Sequence, residues 1–130
     1  MKNITKRSAI IKTIVTSDLG EEIALSHGAA VFNTLTGFKF IGEKIKDFEE
    51  QGSHDFLFAY EESFGYLAGN FVRDKDAIIA AVLIVEMAAY YKSLGMSLLD
   101  MMEEIYKKHG YFEDNLESHV FSGMKGQEEI

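Results

Sequence analysis

Two carboxylates, a hydroxyl and a glycine stand in one run, Glu61-Glu62-Ser63-Phe64-Gly65, directly after the apolar stretch Phe56-Leu57-Phe58-Ala59-Tyr60. An apolar run of that length reads as a strand buried in a sheet. Polar groups crowded at the end of such a strand are where open α/β sheets place their ligands. On an extended chain Glu61 and Glu62 point to opposite faces, which makes them a poor acid/base pair for glycoside hydrolysis. The pattern suits hydroxyl recognition better. One carboxylate accepts from two neighbouring hydroxyls, Ser63 donates or accepts beside it, and Gly65 lets the backbone approach a ligand. A solvated acidic turn is the alternative.

Other stretches are weaker signals. Lys75, in Arg73-Asp74-Lys75-Asp76, can supply charge or move a proton beside a sugar phosphate, or is simply an exposed lysine. Asp74 and Asp76 superficially match the D-x-D of phosphatases with an aspartate nucleophile. Only Phe71 and Val72 precede them where a full apolar strand is required, so both acids are assigned to a helix start. Thr36-Gly37 sits between a strand end and a helix start, where backbone N–H groups can meet an anion or a hydroxyl; a plain turn is the default. No P-loop and no G-x-G-x-x-G occurs. His27, His54, His109 and His119 form no i, i+4 pair, so no histidine metal site is expected. Met87, Met96, Met101 and Met102 read as core.

The elements that must position these groups follow from periodicity. Ala9 to Thr16 is rich in β-branched residues and reads as a buried strand. Asp18 with Glu21 three residues on has a capping-box pattern, opening a helix from Leu19 to Ser26. Ala29 to Leu35 is the second strand, and a helix with one apolar stripe runs from Phe38 to Glu50. The third strand is Phe56 to Tyr60, followed by a loop from Glu61 to Val72. From Ala77 to Tyr91 only Glu86 is charged, which predicts a central helix buried on more than one side. Ser97 and Asp100 start another helix that ends at Gly110, and Tyr111 to Phe121 reads as a last strand. Strands alternating with helices predict an α/β fold: a three-layer α/β/α sandwich on a mixed, mostly parallel sheet of about four strands.

Composition narrows the classes. The chain has 130 residues, enough for one domain, with 47% hydrophobic and 26% charged residues. A net charge of -8 argues against a nucleic-acid surface, which needs clustered Lys and Arg. There is no cysteine, so neither a disulfide framework nor a thiolate metal site can form; this is compatible with a cytoplasmic protein, the expected location. The longest apolar run, Ala77 to Val85, falls well short of the roughly 20 residues a membrane span needs, so no membrane partner is expected.

Three blocks taken together resemble the α-D-phosphohexomutases, on the phosphoglucomutase branch. Thr34-Leu35-Thr36-Gly37-Phe38-Lys39-Phe40-Ile41-Gly42 is similar to that family's T-G-[FW]-K-[FW]-x-G turn and helix. Tyr60-Glu61-Glu62-Ser63-Phe64-Gly65 resembles its sugar-binding loop, G-E-E-S-F-G, and Arg73-Asp74-Lys75-Asp76 its R-x-K-D. The phosphomannomutase branch usually reads G-E-x-S-G-H and lacks R-x-K-D, which favours the glucose branch. Phosphomannomutase, phosphopentomutase and a stand-alone sugar-binding module remain alternatives. One departure stands out: Tyr60 occupies a position where the family often has glycine.

All three blocks belong to the third of the family's four domains. The resemblance therefore implies that residues 8–123 are the sugar-recognition domain of a longer enzyme, with residues 124–130 beginning the connection to a fourth domain. It implies a hexose phosphate substrate, interconversion of glucose 1-phosphate and glucose 6-phosphate through a phosphoserine, and glucose 1,6-bisphosphate as intermediate and activator. Mg2+ is expected in a domain other than this one, and this chain alone is expected to be inactive. By the same resemblance Glu61 and Ser63 contact sugar hydroxyls, Thr36 and Gly37 line the site, Lys75 is the candidate general acid/base, and Glu62 carries no assigned role.

Overall fold

The computed structural model describes residues 4–115 and 117. Four strands are found among them: β1 (Ser8–Thr13), β2 (Ala30–Thr34), β3 (Asp55–Glu61) and β4 (Gly65–Ala68). They form one sheet in the order β2-β1-β3-β4. β1 pairs in parallel with β2 and β3, and β4 closes the edge antiparallel to β3. Four helices accompany them: α1 (Leu19–Ser26), α2 (Phe38–Gln51), α3 (Ala77–Ser93) and α4 (Leu98–His109). The chain is an α/β fold, a mixed and mostly parallel sheet with helices on both faces.

One face is closed by α2. Phe38, Ile41, Ile45 and Phe48 recur at helical spacing and form its buried stripe. They meet Ala9, Ile11, Ala59 and Leu67, which point from β1, β3 and β4 to the same side. Phe32 packs edge-on to Phe48 with ring centroids 4.8 Å apart. Phe40, in the first turn of α2, is only half-buried and lies under the Lys39 ammonium.

The opposite face carries Ile10, Phe58, Tyr60 and Tyr66. α1 covers its β1 end, and α3 crosses near β4. Here the structure corrects the expectation of a deeply buried central helix. No residue of α3 is buried; Ile78 is 79% and Val85 67% exposed. An apolar groove of about 540 Å³, lined by Phe58, Tyr66, Ala80, Leu83, Ile84 and Met87, runs between α3 and the sheet. Among the described residues no single helix is long and apolar enough to cross a membrane.

Three further expectations change. The stretch read as a loop from Glu61 to Val72 contains β4, whose four residues pair with β3 through Glu61↔Gly65 and Phe58↔Ala68. Tyr111 to Asn115 hold no strand, and the rest of the proposed last strand lies outside the described residues, as do the boundary at 123 and the segment 124–130. The fourth strand therefore sits earlier in the chain than periodicity suggested. Finally, Asp18 makes no side-chain cap to α1, because its carboxylate instead accepts from Lys12 Nζ at 2.7 Å. The capping box expected at Ser97 and Asp100 does form.

Candidate functional site

The carboxyl ends of β1, β2 and β3 lie along one edge of the sheet, where the crossover loops leave it. β3 ends on Glu61, which is only 4% exposed. A carboxylate buried that far needs charged and hydrogen-bonding partners. Glu61 Oε1 has two: Ser63 Oγ donates to it at 2.6 Å, and Lys75 Nζ stands 2.6 Å away. Gly65 faces Glu61 across the hairpin, and a Cβ there would fall 2.7 Å from Glu61 Oε1. The glycine is thus the space into which the carboxylate folds. Between them Glu62, Ser63 and Phe64 form a three-residue hairpin loop, which normally requires a left-handed residue in its last position. Phe64 supplies it at φ 58°, the residue being 86% exposed.

Lys75 is delivered from the other side of the turn. Arg73 is held on α2 by an ion pair with Glu49, and its carbonyl lies so close to Gly42 that a Cβ there would be 3.1 Å away. Three residues on, the Asp76 N–H donates to Tyr66 O at 2.8 Å, and the Asp76 carboxylate caps α3 by accepting from the N–H groups of Ile78 and Ile79. With both ends of this short segment anchored, Lys75 spans back to Glu61. The hydrogen bond with Glu61 is the main cause holding the ammonium above its ordinary pKa, with the charges of Glu61, Asp74 and Glu62 adding to it. Lys75 is therefore a firmly protonated donor in this arrangement, suited to face an anion.

Glu62 points the other way. Its Oε2 accepts from Thr13 Oγ1 at 2.7 Å and lies 3.4 Å from Thr16 Oγ1. Donation by Thr13 is the first cause holding its carboxyl below the usual range, followed by its own backbone N–H. Thr16 is in turn fixed by Lys12, a lysine inside β1 whose side chain is 2% exposed. Lys12 Nζ donates to Thr16 O at 2.9 Å and to Asp18, and faces Glu21 at 3.9 Å.

Thr36 and Gly37 follow β2 and open α2, with Gly37 at φ 119° and no side chain capping the helix. Thr34 pairs with Thr13, so this turn stands beside the end of β1 as Glu61 does on its other side. Among the described residues no hydrogen bond joins Thr36 or Gly37 to Glu61, Ser63 or Lys75. The fold thus brings three of the five expected site residues into contact and places the other two along the same edge. Sequence reasoning missed Thr13, Thr16 and Lys12. The signal for Lys12 was its charge inside a strand otherwise apolar enough to be buried; the two threonines looked like ordinary β-branched strand residues.

The Tyr60 departure has a local accommodation. Its ring crosses α1 at Gly20, where a Cβ would sit 2.2 Å from the phenol oxygen. The hydroxyl donates to Ser17 O at 3.3 Å. Burial, with Glu21, Asp18 and Asp114 nearby, pushes the phenol up to about 12. No group of three or more His, Asp or Glu among the described residues is placed to hold a metal ion.

Residues 1–109 match the family model described as phosphoglucomutase/phosphomannomutase, alpha/beta/alpha domain III. A phosphoglucomutase of Staphylococcus haemolyticus (strain JCSC1435) is 42% identical over 128 residues, covering 98% of this chain and 23% of that protein. One of Staphylococcus aureus (strain bovine RF122 / ET3-1) is 39% identical over 121 residues, covering 93% and 22%. The chain thus spans under a quarter of the length of these relatives. Among solved structures, the open form of pp63/parafusin, a phosphoglucomutase from Paramecium, superimposes with a TM-score of 0.64 at 24% identity. That match covers 79% of this chain and 17% of the other, and shows the same fold.

Proposed function

This chain belongs to the phosphoglucomutase/phosphomannomutase family, as its α/β/α domain III, and on that premise we propose that it is the sugar-recognition domain of a phosphoglucomutase. The observation that carries the reading is the contact of Glu61 with Ser63 and Lys75 at the carboxyl edge of the sheet. A carboxylate pinned through one oxygen keeps lone pairs for a sugar's neighbouring hydroxyls, and Ser63 can turn to a third partner. Lys75 supplies the positive charge a sugar phosphate needs; as the candidate general acid/base it would release its proton only where a bound substrate draws Glu61 away from it and lets its pKa fall. Thr36 and Gly37 extend the wall along the same edge, offering the N–H groups at the start of α2.

In this reading the enzyme interconverts glucose 1-phosphate and glucose 6-phosphate, with glucose 1,6-bisphosphate as intermediate. The phosphoserine and Mg2+ belong to other domains. The metal supplies charge stabilisation to a transferring phosphoryl group, and no residue described in this chain fits it. The present domain's part is to hold the hexose by its hydroxyls while the phosphate ends exchange.

Titration of the chain with glucose 6-phosphate and glucose 1-phosphate, followed by amide chemical shifts, tests this. Shifts are expected at Glu61–Gly65, Gly37 and Lys75. Glu61→Gln is expected to weaken binding by about 1–3 kcal/mol, because it removes a charge-assisted acceptor. Equal affinity in that variant would remove Glu61 from the site. The chain alone is expected to show no mutase activity; interconversion by the purified chain, with contamination excluded, would contradict a recognition-only role.

A further inference from the structure

Glu62 is the one carboxylate of the turn that the recognition reading leaves without work, yet it has defined partners. Glu61 and Glu62 leave β3 in opposite directions, and each is met by a different part of the chain. Glu61 meets Lys75, from the segment between β4 and α3. Glu62 meets Thr13 at the end of β1 and Thr16 in the loop between β1 and α1. The turn is therefore gripped from both flanks.

The grip on the Glu62 side is built from the inside outward. Buried Lys12 holds the Thr16 carbonyl and Asp18, which sets the course of the loop. The Thr16 N–H donates to Thr13 O at 3.1 Å, closing a tight turn that brings the two hydroxyls together. Ionised Glu62 can only accept, so it takes the single Thr13 proton, and the Thr13 oxygen is left to accept from Thr16. A hydroxyl–hydroxyl–carboxylate chain of this kind strengthens each of its bonds. Those bonds have a strain to offset, since Phe64 holds a left-handed conformation that non-glycine residues disfavour. Without an external hold, a hairpin loop with an aromatic side chain at that position tends to open.

We propose that Glu62 is a positioning residue: seated on Thr13 and Thr16, it locks the β3–β4 turn to the β1–α1 loop and so presets Glu61 and Ser63 for a hydroxylated ligand. The ligand half of this statement rests on the sugar-recognition reading; the lock does not.

The test uses the full chain and the variants Glu62→Ala, Glu62→Gln, Thr13→Val and the double variant Glu62→Ala/Thr13→Val. Amide hydrogen exchange at Ser63, Phe64 and Gly65 is read beside glucose 6-phosphate affinity and the unfolding midpoint. Glu62→Ala and Thr13→Val are each expected to speed exchange at the turn by about tenfold, through local opening, with amides of β1 and α2 unchanged. The double variant should be no faster than either single one, because both remove the same bond. Glu62→Gln keeps an acceptor and should fall between wild type and Glu62→Ala. Affinity should drop several-fold in the same order while the midpoint holds. Unchanged exchange in Glu62→Ala, or effects that simply multiply in the double variant, would overturn the lock. A turn that loosens as expected in a chain with no response to glucose 6-phosphate would instead sink the sugar reading and leave the lock standing.

Discussion

The two faces of the sheet differ in how completely they are covered. Under α2, a stripe of Phe38, Ile41, Ile45 and Phe48 meets inward-facing residues of three strands, and Ile41 and Ile45 are fully buried. Over the other face, α3 is apolar on every side but buries none of its residues, and a groove separates it from Phe58 and Tyr66. The difference holds within this chain, which spans under a quarter of its relatives' length. An amphipathic helix has one orientation that hides its stripe. A helix apolar all round has no preferred face, so its sequence leaves its orientation open. The polar groups of the candidate site lie at the edge where both faces end, but their supports differ: α2 anchors Arg73 and hence Lys75, while α1 and its loop anchor Lys12, Thr16 and hence Glu62.

The contrast can be broken at several points. Ile41→Ala, on the closed face, should cost about 2–5 kcal/mol of stability, because a fully buried side chain leaves a cavity behind. Denaturant unfolding measures it, and a loss no larger than that of a surface change would mean that the α2 face is not the core. Gly20→Ala probes a tightly filled place on the other face. With a Cβ only 2.2 Å from the Tyr60 oxygen it should destabilise by about 1–3 kcal/mol. In a Tyr60→Ala background most of that cost should vanish, so the cycle of four proteins reads the contact directly. Additive effects would show that Tyr60 does not lie over Gly20. The smallest effect belongs to Val85→Ser on the outer side of α3, which should stay within about 0.5 kcal/mol since the residue is already exposed to water. A cost of core size there would mean that α3 is covered in solution.

Much of this was readable from local pattern. The helix from Leu19 to Ser26 has the bounds its sequence predicted, and α2 differs only by ending at Gln51. The turn after β3 was recognised as a polar strand end before any geometry, and Glu61, Ser63 and Lys75 proved to be in contact. What was missed was either too short or non-local. Four residues of β4, bounded by glycines at 65 and 69, give almost no alternation to read, and it is their pairing with β3 that makes them a strand. Asp18 had the spacing of a capping residue, but a buried lysine from β1 competes for its carboxylate, and a charge taken out of water needs its partner more than a helix end needs its cap.

The sequence by itself determined the alternation of strands and helices, the stripe that closes one face, and the cluster of polar residues at the end of β3. These depend on neighbours within a turn or two, where periodicity and propensity act. Only the tertiary structure decided which way each carboxylate of the turn faces, that Lys12 fixes the loop beneath Glu62, that Gly65 and Gly20 are the spaces for Glu61 and Tyr60, and that α3 is left uncovered within this chain. Those outcomes depend on residues far apart in the chain. Thr13 and Glu62 are 49 positions apart, and no local preference of either carries information about the other until β1 and β3 pair.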